Sequence, residues 1–378
     1  MAKLINITGK AIAGEWGQDD PDGTGIPVLR TTNFTNDGIV NYDNVVTRQI
    51  SKRNLSDKML RNGDIIIEKS GGSDNQPVGR VIYFEGKADT YLFNNFTGLL
   101  RVNNQDVWLP KYVFYALFSN YQKGGTKAFE NRTTGLHNLQ TESYVAKTEI
   151  PEVPMFTQRR IASTLDAITA LIAKRHQQLD ALDQLVKARF VEMTETAGAA
   201  PTRMGDIATY VNGYAFKPTQ WEEEGYPIIR IQNLNDSNAP YNYFSGQLPD
   251  KYLIHKGDVL VSWATHLEAY IWNGTDAWLN QHIFKVEFDK MDVDKVYYVY
   301  ACEEALKQAF KNAHGFKPTM EHIRKCDFDD AIVRLPELKT QHQFATFVAE
   351  VDKSKWSVRQ SLQSLETLKK SLMQQYFG

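Results

Sequence analysis

Two stretches of the chain carry an apolar residue at every seventh position. One seam runs Leu165, Ile172, Leu179, Val186 and Met193, beside Ile161, Ile168, Arg175, Leu182 and Arg189. Displaced by 183 residues, the second stretch has Phe344, Val351, Val358, Leu365 and Leu372, beside Val348, Lys355, Leu362, Lys369 and Tyr376. Five heptads repeated twice predict two helices of about 33 residues joined as a coiled coil, against ~12 for the helices of ordinary domains. Each helix has one unbroken seam and one interrupted by two basic residues. Arg175, Arg189, Lys355 and Lys369 are therefore expected at the flank of the pair, open to an acidic or polar partner. Thr157 and Thr340 are the expected N-caps, and Thr340 to Gln343 has capping-box spacing.

The sequence ahead of each helix is also repeated. GIPVLRTTN from Gly25 matches GYPIIRIQN from Gly225 at an offset of 200, pairing Arg30 with Arg230. Gly63-Asp64 matches Gly257-Asp258 at 194, Asn94 matches Asn280 at 186, and Lys111 matches Lys295 at 184. Thr157-Gln158 then answers Thr340-Gln341 at 183. Five blocks in one order make a tandem duplication whose second copy has lost loop residues. GIPVLR, DIIIEK, GLLRV and their partners PIIRI, DVLVSW, IFKVEF read as short strands, with turns at each Gly-Asp. A helix follows in each copy, with Pro110 in its first turn and Asp294 as an N-cap. Thr194 to Pro201 lacks periodicity and reads as a linker. The predicted fold is α+β: two tandem globular domains (1–156 and 198–339), separated by long antiparallel coiled-coil helices (157–197 with the linker, and 340–378), in a pseudo-two-fold repeat.

Composition narrows the function. Of 378 residues, 42 % are hydrophobic and 12 % aromatic, enough for real cores. No apolar run approaches the ~20 residues of a membrane span, and MAKLINITGKAIAGEWG has no signal-like apolar region. Two cysteines support neither a disulfide framework nor a thiolate metal site, so a reducing cytoplasm is expected. With 43 basic against 45 acidic residues, nucleic-acid binding has to rest on local patches. Catalytic motifs are missing. There is no Asn/Asp-Pro-Pro-aromatic methyltransferase loop, and Gly72 to Gly79 is no Walker A sequence. The calcium-like run from Asp20 lacks its closing Glu, with Thr31 in that place. The eight histidines form no HxxxH or HExxH pair, and His282 reads as a packed side chain.

Globular unit, long helix, globular unit, long helix: over its whole length this order resembles the DNA-specificity subunit of type I restriction–modification systems. The resemblance is carried by TRMGDIATYVNG around Gly205-Asp206, GYPIIRIQN, the two Gly-Asp strands, Asn280-Gln281, Gly315-Phe-Lys-Pro318, and Pro-Glu then Thr-Gln before each helix. The first copy departs in its opening block, KLINITGKAIAGEWG, and in having Asn138-Leu139 where the second has Lys-Pro. The resemblance implies a non-catalytic subunit whose two target-recognition domains each read half of a bipartite, asymmetric double-stranded DNA site. It implies docking of two adenine-methyltransferase subunits and of restriction/translocase subunits. S-adenosylmethionine and ATP would then be bound only by those partners, with no cofactor, metal or catalytic residue in this chain.

Base reading needs side chains that donate and accept in pairs, and phosphate binding needs cations and hydroxyls. In the first copy these concentrate in Ser70, Ser73, Asn75, Gln76 and Arg80, and in Lys123, Lys127, Arg132 and Thr133. In the second they are Thr265, His266, Lys311, His314 and Lys317. Arg30 and Arg230 recur in both copies, which favours a shared structural or phosphate-binding role. Two other readings fit the same chain: the recognition subunit of a type IIB-like system, and a coiled-coil scaffold with two ligand-binding domains and no DNA role.

Overall fold

The computed structural model describes residues 1–52, 54–133, 136–196, 198–236, 238–314 and 323–378; for 132, 133, 136, 196 and 312–314 it describes the backbone alone. The chain divides into two compact units, residues 1–175 with 361–378, and residues 176–360. Helices Met155–Thr196 and Leu338–Phe377 each contribute to both.

Each unit is built on the same antiparallel four-stranded sheet. In the first unit the order is Ile12–Ala13, Thr97–Leu100, Ile65–Glu68, Val81–Tyr83. In the second it is Thr209–Asn212, Ile283–Glu287, Val259–Ser262, Glu268–Ile271. A second sheet in each pairs Ile26–Leu29 in parallel with Leu92–Phe93, and Tyr226–Ile229 in parallel with Ala277–Leu279. The central strands Ile65–Glu68 and Val259–Ser262 are buried on both faces, which is why they read as unbroken apolar runs rather than alternating ones.

The Gly-Asp pairs earn their recurrence in the turn that opens these strands. Gly63 and Gly257 sit at φ +96° and +92°, where a side chain would be strained. The Asp64 carboxylate accepts from the Arg61 amide at 2.7 Å, and Asp258 from the His255 amide at 2.9 Å, closing the turn. The opening block of the first copy, unlike its partner in sequence, folds the same way. Leu4–Thr8 and Met204–Ile207 are short helices, and the strands after them pair with the same neighbour. Gly14 and Gly213 then pass so close to the Asn94 and Asn280 carbonyls that any Cβ would collide with them.

Sequence and structure part at the long-helix starts. The helices begin at Met155 and Leu338, so Thr157 and Thr340 lie inside the first turn rather than capping it. The residue after each threonine has the structural role. Gln158 Oε1 accepts from the Leu109 amide at 2.8 Å, and its Nε2 donates to the Val107 and Val153 carbonyls. Gln341 Oε1 accepts from the Asp294 amide at 3.0 Å, and its Nε2 donates to the Pro336 carbonyl. Leu109 and Asp294 are the residues preceding helices Pro110–Gln122 and Lys295–His314, and Asp294 caps the latter by accepting from the Val296 and Tyr297 amides. Each glutamine thus ties a long-helix start to the start of its unit's own helix. The expected linker is also shorter than read: helix runs to Thr196, and Ala200–Arg203 is a strand paired with Ile332–Leu335. Its partner lies far along the chain, so local periodicity carried no sign of it.

Within each unit the beginning of one long helix packs with the end of the other. Ile161, Ala162 and Leu165 share the first unit's core with Met373, against which Leu372 and Tyr376 pack. Val186, Phe190 and Met193 share the second unit's core with Phe344, Val348 and Val351. This is the antiparallel pairing expected of the pseudo-two-fold repeat. The seam cations are more enclosed than the expected flank position. Lys355 is 7 % exposed, its ammonium 2.5 Å from Asp183 and 3.7 Å from Asp352. Lys369 lies over the Phe118 ring, and burial lowers its pKa. Arg189 pairs with Glu192 at 2.7 Å and, like Arg175, is half-buried. Lys355→Glu should therefore destabilise the second unit by about 2–4 kcal/mol, because a buried carboxylate would face two others. Lys355→Met should be close to neutral. Urea denaturation followed by tryptophan fluorescence reads both.

Candidate nucleic-acid interface

In the first unit the two polar clusters converge on one small sheet. Strand Ser70–Gly72 pairs with Leu136–Leu139, which pairs with Glu130–Thr133. Ser70 donates to the Asn138 side chain at 2.5 Å, which gives Asn138 a defined place in a sheet rather than in a loop. His137, nearly buried, is hydrogen-bonded to Glu130 and lies 3.8 Å from Asp74. The turn from Ser73 to Gln76 projects from this sheet. It is closed by reciprocal backbone bonds at 2.7 and 3.1 Å, and Ser73 and Asn75 are exposed. Gln76 donates to the Asn36 side chain at 3.0 Å. Lys123 and Lys127 are exposed at the end of helix Pro110–Gln122 and just after it. Arg132 and Thr133 lie on the outer strand, and their side chains fall outside the described residues.

Arg80 differs from its neighbours. Its guanidinium forms a two-pronged pair with buried Glu68 at 2.9 and 3.1 Å, and donates to the Thr31 and Phe34 carbonyls. That geometry serves the fold, holding the loop base against the second sheet. Arg30 and Arg230 are half-buried, and the amide of each donates to Asn33 or Asn233, three residues on. Those asparagines are buried and donate to the carbonyls of the loop that follows. The Arg230 side chain lies over Trp221 and donates to Asn242. The recurrence of Asn in both copies thus has a local structural cause.

In the second unit the loop after Val259–Ser262 carries Thr265 and His266 at the surface. Trp263 in that loop stacks on Phe284, 5.7 Å between ring centres, and donates to Asn212 at 3.0 Å. His282 packs against the same indole at 4.8 Å, the packed role its sequence context suggested. Lys311 is exposed on helix Lys295–His314. The His314 side chain, Lys317 and the Gly315–Pro318 loop fall outside the described residues. Sequence reasoning missed Glu268 and Tyr270 on strand Glu268–Ile271. The signal was available, since a polar residue at every second position of an edge strand marks one face.

The profile described as type I restriction modification DNA specificity domain matches this chain twice, over residues 3–184 and 199–367. The chain belongs to that family. The specificity subunit of the type I restriction enzyme EcoBI from Escherichia coli is 29 % identical over 176 residues, which are 45 % of this chain and 36 % of that relative. The match therefore spans well under half of the relative's length. Among solved structures, a chain from a study of complex assembly and conformational transition in a type I R-M system matches with a TM-score of 0.62. It is 17 % identical, and the match covers 100 % of this chain and 96 % of that one. The type I S subunit from M. genitalium gives 0.53 at 14 % identity, covering 100 % and 95 %. These two likenesses establish a shared fold. The specificity family here is a tandem of two α+β domains joined through long helices, as the repeat predicted.

Proposed function

We infer that this chain is the non-catalytic, cytoplasmic DNA-reading subunit of a type I modification–restriction complex. Domains 1–156 and 198–339 each contact one half of an asymmetric double-stranded site, and the helices within 157–197 and 340–378 space them and dock the partners. The partners are two adenine-methyltransferase subunits, which bring S-adenosylmethionine, and restriction/translocase subunits, which use ATP. The observation that carries this reading is the duplication of one DNA-specificity domain with the polar surface changed between copies. A shared core with different exposed loops is what reading two unrelated half-sites requires.

The exposed members of the expected set are the best contacts: Ser73, Asn75, Lys123 and Lys127 in the first domain, Thr265, His266 and Lys311 in the second. Of the helix cations, Arg175 and Arg189 remain the better partner contacts. The test is to reconstitute the chain with modification subunits encoded beside it and map the methylated positions. An interrupted, asymmetric motif is expected, with binding that weakens steeply as salt rises. No methylation, or salt-independent behaviour, would favour a scaffold. Exchanging only Ser73–Gln76 for an unrelated turn should change one half-site and leave the other intact. The exchange should spare Arg80, whose loss would unsettle the fold.

A further inference from the structure

At one register position the two units place opposite charges. In the first, Ile67 pairs with Val81; in the second, Val261 pairs with Ala269. The preceding residues, Arg80 and Glu268, are therefore equivalent. Arg80 turns inward to Glu68, but the residue equivalent to Glu68 is Ser262, so Glu268 has no internal cation and faces outward, its side chain 48 % exposed. It is nevertheless held. His266 Nε2 lies 2.9 Å from Glu268 Oε2, and the Tyr270 hydroxyl donates to the same oxygen at 2.9 Å. The same hydroxyl lies 2.5 Å from Asn235 Oδ1 on the adjoining short helix, so its one proton is shared between two acceptors. Burial, then the neighbouring carboxylate, pushes the Tyr270 phenol well above its usual range, so it keeps the proton it donates. Among the described residues nothing donates to Oε1. The result is a half-exposed carboxylate with one oxygen engaged and the other without a protein donor among the described residues, at the base of the loop that carries Thr265 and His266.

We propose that Glu268 reads the N4 amine of a cytosine in the half-site contacted by the second domain, a role that rests on the DNA function inferred above. A carboxylate only accepts, so guanine O6 and N7 and thymine O4 repel it. Two major-groove donors remain. Adenine N6 is flanked by the acceptor N7, whereas cytosine N4 is flanked by carbon, which leaves cytosine as the matched base. The same charge opposes the phosphate backbone, so Glu268 lowers affinity for DNA in general while favouring one base. His266 and Tyr270 are positioning residues for it.

The experiment compares wild-type and Glu268→Gln chains, each assembled with the modification subunits, by methylation mapping and competition binding. The wild type should require a C·G pair at one position of the half-site that the Ser73–Gln76 exchange leaves unchanged. E268Q should reduce that preference on the order of tenfold, since glutamine both donates and accepts and so admits adenine. It should also bind unrelated duplex more tightly and leave the other half-site alone. Should E268Q fail to assemble, single C·G to T·A changes in the wild-type target decide the matter. A half-site in which none of them weakens binding tenfold overturns the proposal, as does an assembled E268Q complex with an unchanged motif. If the wild type itself yields no interrupted motif, the DNA function fails and this inference with it.

Discussion

Gln158→Ala should destabilise the first unit by about 3–5 kcal/mol, more than any exposed substitution in the chain. The side chain is 1 % exposed and makes three hydrogen bonds, each to a backbone group with no other partner among the described residues. Removing it strands one amide and two carbonyls in a dry site, at about 1–3 kcal/mol apiece, partly relieved where water enters the space left behind. Gln158→Glu separates shape from chemistry. It keeps the bond from Leu109, but a carboxylate cannot donate to Val107 or Val153 and is costly to bury. It should be nearly as damaging as alanine. Hydrogen exchange during urea titration reads the effect locally: peptides covering 100–125 should lose protection first. Gln341→Ala should do the same to peptides covering 290–305 and spare the first unit. Gln177→Ala, on an exposed position of the same long helix as Gln158, is the control and should change little. Equal loss of protection in both units from Gln158→Ala would contradict the assignment.

These glutamines also mark the limit of what the sequence disclosed. The Thr-Gln repeat was visible, and capping chemistry suggested that the threonine was its point. A threonine before a helical pattern is a local signal, whereas Leu109 and Asp294, whose amides Gln158 and Gln341 hold, lie nearly fifty residues upstream. The same distinction runs through the fold. Heptads, Gly-Asp turns and buried apolar strands are local, and each is in place. The strand Ala200–Arg203 depends on Ile332–Leu335 and was read as linker. In the candidate interface, composition found the loops but not the roles within them. Arg80 has the residue type of a base reader and is spent on Glu68, a pairing decided by which residue stands at the end of the neighbouring strand. Glu268 is outside the expected set, and it is the strand register that makes it the counterpart of Arg80.

Lengthening both long helices by one heptad should shift or abolish recognition without unfolding either domain. Seven residues inserted between Gln177 and Gln178, and seven between Gln360 and Ser361, preserve the apolar seams, because the insertion equals the repeat. They also fall at the division between the compact units, away from both cores. The added helix is roughly 10 Å at 1.5 Å per residue. On duplex that is about 3 base pairs, close to a third of a turn, so a domain meeting the shifted site would face another side of the groove. The unmodified chain should favour half-sites about one helical turn apart, centre to centre, each of roughly 3–5 base pairs with an unread gap of about 5–8. The lengthened chain should accept a gap about 3 base pairs longer, or lose binding where twist cannot be absorbed. Inserting four residues instead breaks the seam and should reduce stability, which separates spacing from folding. The same half-sites methylated at an unchanged gap by the heptad variant would show that the helices do not set the spacing. A continuous palindrome for the unmodified chain would refute the two-headed reading itself, since Arg80 and Glu268 show how far two copies of one domain have diverged at a single position.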